Sequence, residues 1–218
     1  MAYFCDKTIR NMDSTQKKIM EIVKAGGEGK VYFPSDFFEC GSEKAVSKAL
    51  QRLVADDVLI RMTRGLYCAP IESQWGLGTL SAGADDVLRA YAEREGFRTC
   101  PCPCAAQNYL GLSEQVVMNP VFCTDGPSRK IHYRKGARPI ILYHVPTRIF
   151  NYKSDIIRLT VLALTDIGQR DLWEFDMDNL QYIYARVPYQ EIREDLKSTP
   201  VWIRNIILSY YDENRKYN

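Results

Sequence analysis

The sequence predicts an α+β protein, with an N-terminal winged helix-turn-helix followed by a mixed α+β C-terminal domain. Three observations predict it. Before residue 56, capped stretches carry apolar residues at helical spacing, with a glycine-containing turn before the last of them. Two β-type runs, "VLIRM" and "LYCA", then flank Thr63-Arg64-Gly65, the pattern of a tight hairpin. From about residue 85 onward, strand-like and helix-like segments are interspersed and the chain ends in helices.

The first helix, "STQKKIMEIVKAGG", is expected to be capped by Ser14. It carries Ile19, Met20, Ile22 and Val23 on its inner side and stops at Gly26-Gly27. "VYFPSDFFECG" places an extended triplet before Pro34. Ser35 is then expected to cap a short helix holding Phe37 and Phe38 and ending at Gly41. Ser42 caps the next helix, which runs to about Ala55 with Val46, Ala49, Leu50, Leu53 and Val54 inward. The aperiodic stretch 71–84 reads as a linker. The expected domains are therefore 1–70, a winged helix-turn-helix, and 85–218, an α+β domain.

In the second domain, helices are expected at "DDVLRAYAEREG" and "AAQNYLGL", and strands at "VVMNPVFCTDG" and "KIHYRKGARPIILYHV". Turns fall at Asp125-Gly126-Pro127 and Lys135-Gly136. "SDIIRLTVLALTDIG", capped by Ser154, is apolar nearly all round and reads as the buried central helix. Three more helices follow; the last sets Trp202, Ile206, Ile207 and Tyr210 at helical spacing. Core packing is the default for those four, and a dimer or partner surface the alternative.

Composition bounds the function. An apolar content of 46% and charged content of 26% fit a globular chain, and no stretch is apolar enough to span a membrane. The opening "MAYFCDKTIR" lacks a secretory pattern. The seven cysteines are odd in number and scattered, so reduced thiols in the cytoplasm are expected. With a net charge of only +2, any nucleic-acid binding must come from a local patch.

One such patch can be read directly. Removing the inner face from the helix at Ser42 leaves Lys44, Ser47, Lys48, Gln51 and Arg52 outside, with Lys44, Lys48 and Gln51 at i, i+4 and i+7. Amines suit phosphates and guanine edges, arginine pairs bidentately with guanine, and a glutamine amide with adenine. The wing adds Arg61 and Arg64. The acids Glu43, Asp56 and Asp57 fall at the helix ends, where Glu43 suits the positive N-terminal dipole. The same pattern also fits a solvated helix face or a protein-docking winged helix. If it reads double-stranded DNA, two copies are expected to cooperate, as a dimer or side by side, because one short helix reads few bases.

"FPSDFFECGSEKAVSKALQRLVADDVLIRMTRGLYCAP" resembles the winged-helix half of AbiE-type antitoxins, the type IV toxin–antitoxin transcriptional regulators. "NYLGLSEQVVMNPVFCTDGPSRKI" resembles the start of their second domain. The resemblance implies a non-enzymatic regulator that binds inverted repeats in its own promoter and counteracts a cognate nucleotidyltransferase toxin without needing a stable complex. Its basic face would map to Lys44, Lys48, Arg52, Arg61 and Arg64, and its antitoxic surface to Arg129 and Lys130. Asp56-Asp57 departs from the family pattern, in which a glycine is more frequent before the wing.

Other chemistries are weaker. Cys100, Cys102 and Cys104 could join Cys123, His132 and His144 around zinc, but one residue between cysteines falls short of the usual spacing of about two to four. Small buried side chains are the plainer reading, and no metal or cofactor is expected. Glu174, Asp176 and Asp178 would share a face on a strand, as a magnesium-dependent nucleotidyltransferase requires; a helix cap by Asp176 or Asp178 is the alternative. "TDGPSRKI" lacks the glycine spacing and lysine of a phosphate loop and reads as a turn.

Overall fold

The computed structural model describes residues 13–73, 76, 78–115, 117–174 and 177–214. The opening decapeptide, part of the 71–84 stretch and Asp176 lie outside them. The protein is mixed α+β and divides into two compact units. Unit 1 is residues 1–96 with Ile131–Pro139; unit 2 is Phe97–Lys130 with residues 140–218.

Unit 1 begins with α1, Ser14–Gly26. Its cap is Asp13, not Ser14. Asp13 Oδ1 accepts from the Gln16 amide at 2.8 Å, and the Gln16 side chain accepts from the Asp13 amide at 3.3 Å. A carboxylate one residue earlier closes this reciprocal box, which a serine at the first helical position cannot. β1 (Val31–Tyr32) follows, then a 3₁₀ segment at Pro34–Cys40. Asp36, not Ser35, closes its start, accepting from the Phe33 amide at 2.8 Å. Phe37 is fully buried, but Phe38 is 73% exposed.

α2 spans Glu43–Ala55 and is capped by Ser42, whose Oγ accepts from the Ala45 amide at 3.4 Å. Val46, Ala49, Leu50 and Leu53 are buried, in one core with Ile19, Met20 and Val23 of α1 and with Tyr32 and Phe37. β2 (Ile60–Thr63) and β3 (Leu66–Cys68) form an antiparallel hairpin around Arg64-Gly65, where Gly65 takes φ 76°. β1 pairs with the other edge of β3, giving the order β1-β3-β2. Tyr32 lies so close to the end of α1 that a Cβ at Gly26 would sit on its hydroxyl. That position therefore needs glycine for space.

The stretch read as a linker is partly ordered. β4 (Ile71–Glu72) pairs antiparallel with β5 (Thr79–Leu80). The helix at 84–95, expected to open the second domain, is α3 (Ala84–Glu95) of unit 1. Its Tyr91 ring meets the Phe33 ring edge-on at 5.0 Å, and Arg94 lies over Phe33 at 4.2 Å. These contacts, from the residue just before Pro34, tie the helix to unit 1, so the division falls at Gly96–Phe97.

Unit 2 holds a four-stranded sheet, ordered β6-β7-β9-β8, from β6 (Thr99–Pro101), β7 (Val121–Thr124), β8 (Arg129–Ile131) and β9 (Ile140–His144). β6 runs antiparallel to β7, and β7 parallel to β9. The helices are α4 (Pro103–Tyr109), α5 (Asp155–Ile167), α6 (Asp178–Tyr184), α7 (Tyr189–Ser198) and α8 (Val201–Asn214). α5 is the central helix, with Ile157, Thr160, Val161, Leu162, Ala163, Leu164 and Ile167 buried. Ile203, Ile207 and Tyr210 form the inner line of α8, while Trp202 and Ile206 are half-buried beside it. No helix among the described residues is long and apolar enough to cross a membrane.

The end of α2 explains the Asp56-Asp57 departure. Asp57 has φ 55°, the left-handed conformation that favours glycine. The Val58 amide donates to the Leu53 carbonyl at 2.9 Å, and the Asp57 amide to Val54 at 3.3 Å. This is a Schellman termination, with the buried pair Leu53 and Val58 as its apolar accompaniment. Aspartate tolerates the left-handed region better than most residues but still less well than glycine. Asp57→Gly should raise the unfolding free energy by about 0.5–1 kcal/mol, read as a higher urea midpoint at unchanged slope.

Candidate functional site

The outward face of α2 and the hairpin form the most distinctive polar surface of unit 1. Lys44, Ser47, Lys48, Gln51 and Arg52 are all exposed on α2, as are Arg61 on β2 and Arg64 at the turn. The buried stripe of α2 dictates this, since residues off that stripe lie outside the core. Glu43 sits in the first turn and Asp56-Asp57 at the C-terminal end, so the acids flank the basic stripe.

One member of the stripe is committed elsewhere. Arg52 Nη1 donates to Asp13 Oδ2 at 2.7 Å and to Gln16 Oε1 at 3.3 Å. The Asp13 carboxylate thus caps α1 with one oxygen and holds Arg52 with the other. Both side chains are about half exposed (55% and 47%), so the pair contributes little stability, but it ties α2 to the start of α1. Sequence spacing put Arg52 on the outer face correctly and could not reveal this partner, which lies 39 residues away.

The two residues read as an antitoxic surface differ in environment. Lys130 is exposed, whereas Arg129 is half-buried with its guanidinium 5.1 Å from the Phe97 ring. The turn before them is pinned. Thr124 Oγ1 accepts from the Gly126 amide at 3.0 Å, Ser128 Oγ accepts from the His144 amide at 2.8 Å, and His144 Nδ1 lies 3.0 Å from the Gly126 carbonyl oxygen. Asp125 accepts from the Arg98 amide at 2.7 Å and from Arg98 Nε at 2.8 Å. Burial opposes ionisation of Asp125, but these hydrogen bonds and the Arg98 charge outweigh it and hold the carboxyl below its ordinary range. The segment is a built turn; its polar groups are spent on its own backbone and on neighbouring residues.

The cysteine cluster is structural in its packing. Cys100 and Cys123 face each other across β6 and β7, both buried. Their shared hydrogen bond, reinforced by burial, pushes the Cys100 thiol up. Cys102 is the buried residue just before α4, and Cys104 is half-buried. His144 ends β9, while His132 lies just past β8 and is exposed. Among the described residues no group of three or more His, Cys, Asp or Glu is placed to hold a metal ion. Of the carboxylate series, Glu174 ends a 3₁₀ turn at 172–174 and Asp178 is the first residue of α6, after Met177 at the cap position, so neither of these two lies on a strand; Asp176 lies outside the described residues. Asp178 therefore does not cap the helix, though its charge suits the helix N-terminus.

The match to known proteins covers most of both units. Residues 18–192 match the model of a family of unknown function, DUF6088. The chain belongs to that family. A crystal structure of the RV2827C protein from Mycobacterium tuberculosis is similar over 92% of this chain and 78% of that one, with 12% identity and a TM-score of 0.43. No curated protein matches.

The Asp125–Arg98 pair makes a testable pH signature. A carboxyl held below its unfolded value of about 3.9 adds stability that is present above that pH and lost as pH falls through the folded value. Asp125→Asn should cost about 1 kcal/mol near neutrality, discounted for the partly exposed arginine. The gap from the parent protein should close below about pH 4 in urea titrations at stepped pH.

Proposed function

We propose that this DUF6088 protein is an antitoxin-type transcriptional autoregulator. Its N-terminal unit would be a winged helix that binds double-stranded promoter DNA through α2 and the β2–β3 hairpin. The observation that carries the reading is the pairing of opposite faces on α2. A buried apolar stripe fixes the helix, and Lys44, Lys48 and Gln51 are exposed on its other side, ahead of a hairpin carrying Arg61 and Arg64. The element order supports it too: helix, short 3₁₀ segment, capped helix, two-stranded wing, with β1 as the third strand.

In this reading Lys44, Lys48, Arg61 and Arg64 capture phosphates, and Gln51 and Ser47 meet base edges in the major groove. Arg52 acts by positioning α2 through Asp13. Two copies engage a repeat, because a single short helix reads too few bases for useful specificity. Unit 2 would counteract a nucleotidyltransferase toxin; the support is the resemblance of "NYLGLSEQVVMNPVFCTDGPSRKI" to AbiE-type antitoxins, with Lys130 as the exposed candidate contact. Exposed Phe38, 73% open at the 3₁₀ segment, favours a second reading in which this unit docks a protein.

Fluorescence anisotropy with duplex from the gene's own upstream region tests the DNA half, beside a scrambled duplex and across several salt concentrations. The parent protein should prefer the upstream duplex. Lys44→Glu/Lys48→Glu should lower affinity more than about 10-fold and flatten the salt dependence by about two phosphate contacts. Sequence-blind or absent binding at low salt would sink the reading and leave the docking alternative. The antitoxic half is tested by growth. Co-expression with a neighbouring nucleotidyltransferase gene should relieve its toxicity, and Lys130→Glu should weaken the rescue; no relief by the parent protein would refute it.

A further inference from the structure

Five of the ten residues from Arg129 to Arg138 are Lys or Arg and none is Asp or Glu, in a chain whose net charge is only +2. The run leaves the sheet after Ile131, the last residue of β8, and Ile131–Pro139 belongs to unit 1, the unit that carries the basic face of α2. Its backbone is anchored at the root. Ile131 and Tyr133 are 6% and 7% exposed, while His132, Arg134, Lys135 and Arg138 alternate with or follow them on the outside. The tip is a closed turn, with the Ala137 amide donating to the Arg134 carbonyl at 3.3 Å and Gly136 at φ 78°. Arg134 Nη1 donates to Ser81 Oγ of the same unit at 3.3 Å. Lys135 is held by no acid among the described residues.

Like charges crowded on a fixed turn repel one another, and the arrangement is stabilised by a polyanion that displaces their counterions. An anchored root lowers the ordering cost of that contact. We propose that the 132–138 turn is a second DNA contact, a clamp on the phosphate backbone outside the bases read by α2. The inference rests on the DNA-binding reading of unit 1. It assigns phosphate contacts only, since exposed lysine and arginine on a turn fix position and carry no base code.

The test compares the parent protein with Arg134→Gln/Lys135→Gln and with Lys135→Gln alone. The single change removes only an exposed tip charge and leaves the Ser81 contact in place. Each is titrated, after its thermal unfolding is shown unchanged, against the upstream duplex with long flanks and against one trimmed to the repeats. For the long duplex, the slope of log affinity on log salt should fall by about one for Lys135→Gln and about two for the double variant. Affinity should drop by roughly 5-fold or more per charge, with upstream-over-scrambled preference unchanged. The trimmed duplex should show smaller losses. Parent-protein binding with slopes unchanged in both variants would overturn this clamp and leave the α2 reading standing. No binding by the parent would overturn both. Loss of binding to poly-glutamate with the DNA slopes unchanged would reassign the turn to an acidic protein surface.

Discussion

The burial of one stripe on α2 is the constraint on which the N-terminal unit depends. Val46, Ala49, Leu50 and Leu53 fill the space against α1 and the 3₁₀ segment, and the large ones contribute about 1.5–3 kcal/mol each. Rotating α2 by even one position would bury Lys48 or Gln51 and expose Leu53, which the helix could not offset. The polar face is therefore a consequence of the core. Its termini are fixed as firmly: Ser42 satisfies an amide at one end, and the Schellman bonds through Asp57 close the other. The hairpin starts immediately after that closure, so its placement inherits the left-handed turn at Asp57.

Unit 2 depends on a different device. Asp195 of α7 is 5% exposed and accepts from the amides of Lys153 and Ser154 at 3.1 and 2.7 Å. These are the residues that lead into α5, seven of whose residues are buried. A buried carboxylate is costly unless hydrogen bonds satisfy it, and here the unmet amides at a helix start do so. Thr160 and Tyr184 share a second buried hydrogen bond at 2.7 Å, which fixes α6 on α5. The helices of this unit are thus located by a few polar ties inside an apolar cluster.

The two proposed roles draw on different units. In the proposed reading the basic face of α2 and the 132–138 turn are parts of unit 1, and Lys130 is part of unit 2. The chain passes from unit 2 into unit 1 and back within the basic run.

The sequence by itself determined α1, α2, the hairpin, the buried stripe of α2 and its exposed residues; on α1 it placed Ile19, Met20 and Val23 inward as found, but also Ile22, which is 38% exposed. These follow from local rules: apolar period, serine caps and a glycine at a tight turn. It also indicated the α+β class and the buried central helix at 155–167. Two caps were misread by one residue, at Asp13 and Asp36, where a neighbouring carboxylate took the bond that a serine was expected to make; the other differences lie where a partner is far along the chain. Arg52 is tied to Asp13, and α3 belongs to unit 1 through Phe33. Cys100 is paired with Cys123 by sheet register, and Arg129 is drawn onto Phe97. The basic run at 129–138 was visible as letters, yet only the tertiary structure divided it between the units. Each of these is a contact between residues distant in sequence, set by how the elements pack, and no spacing rule along one chain encodes it.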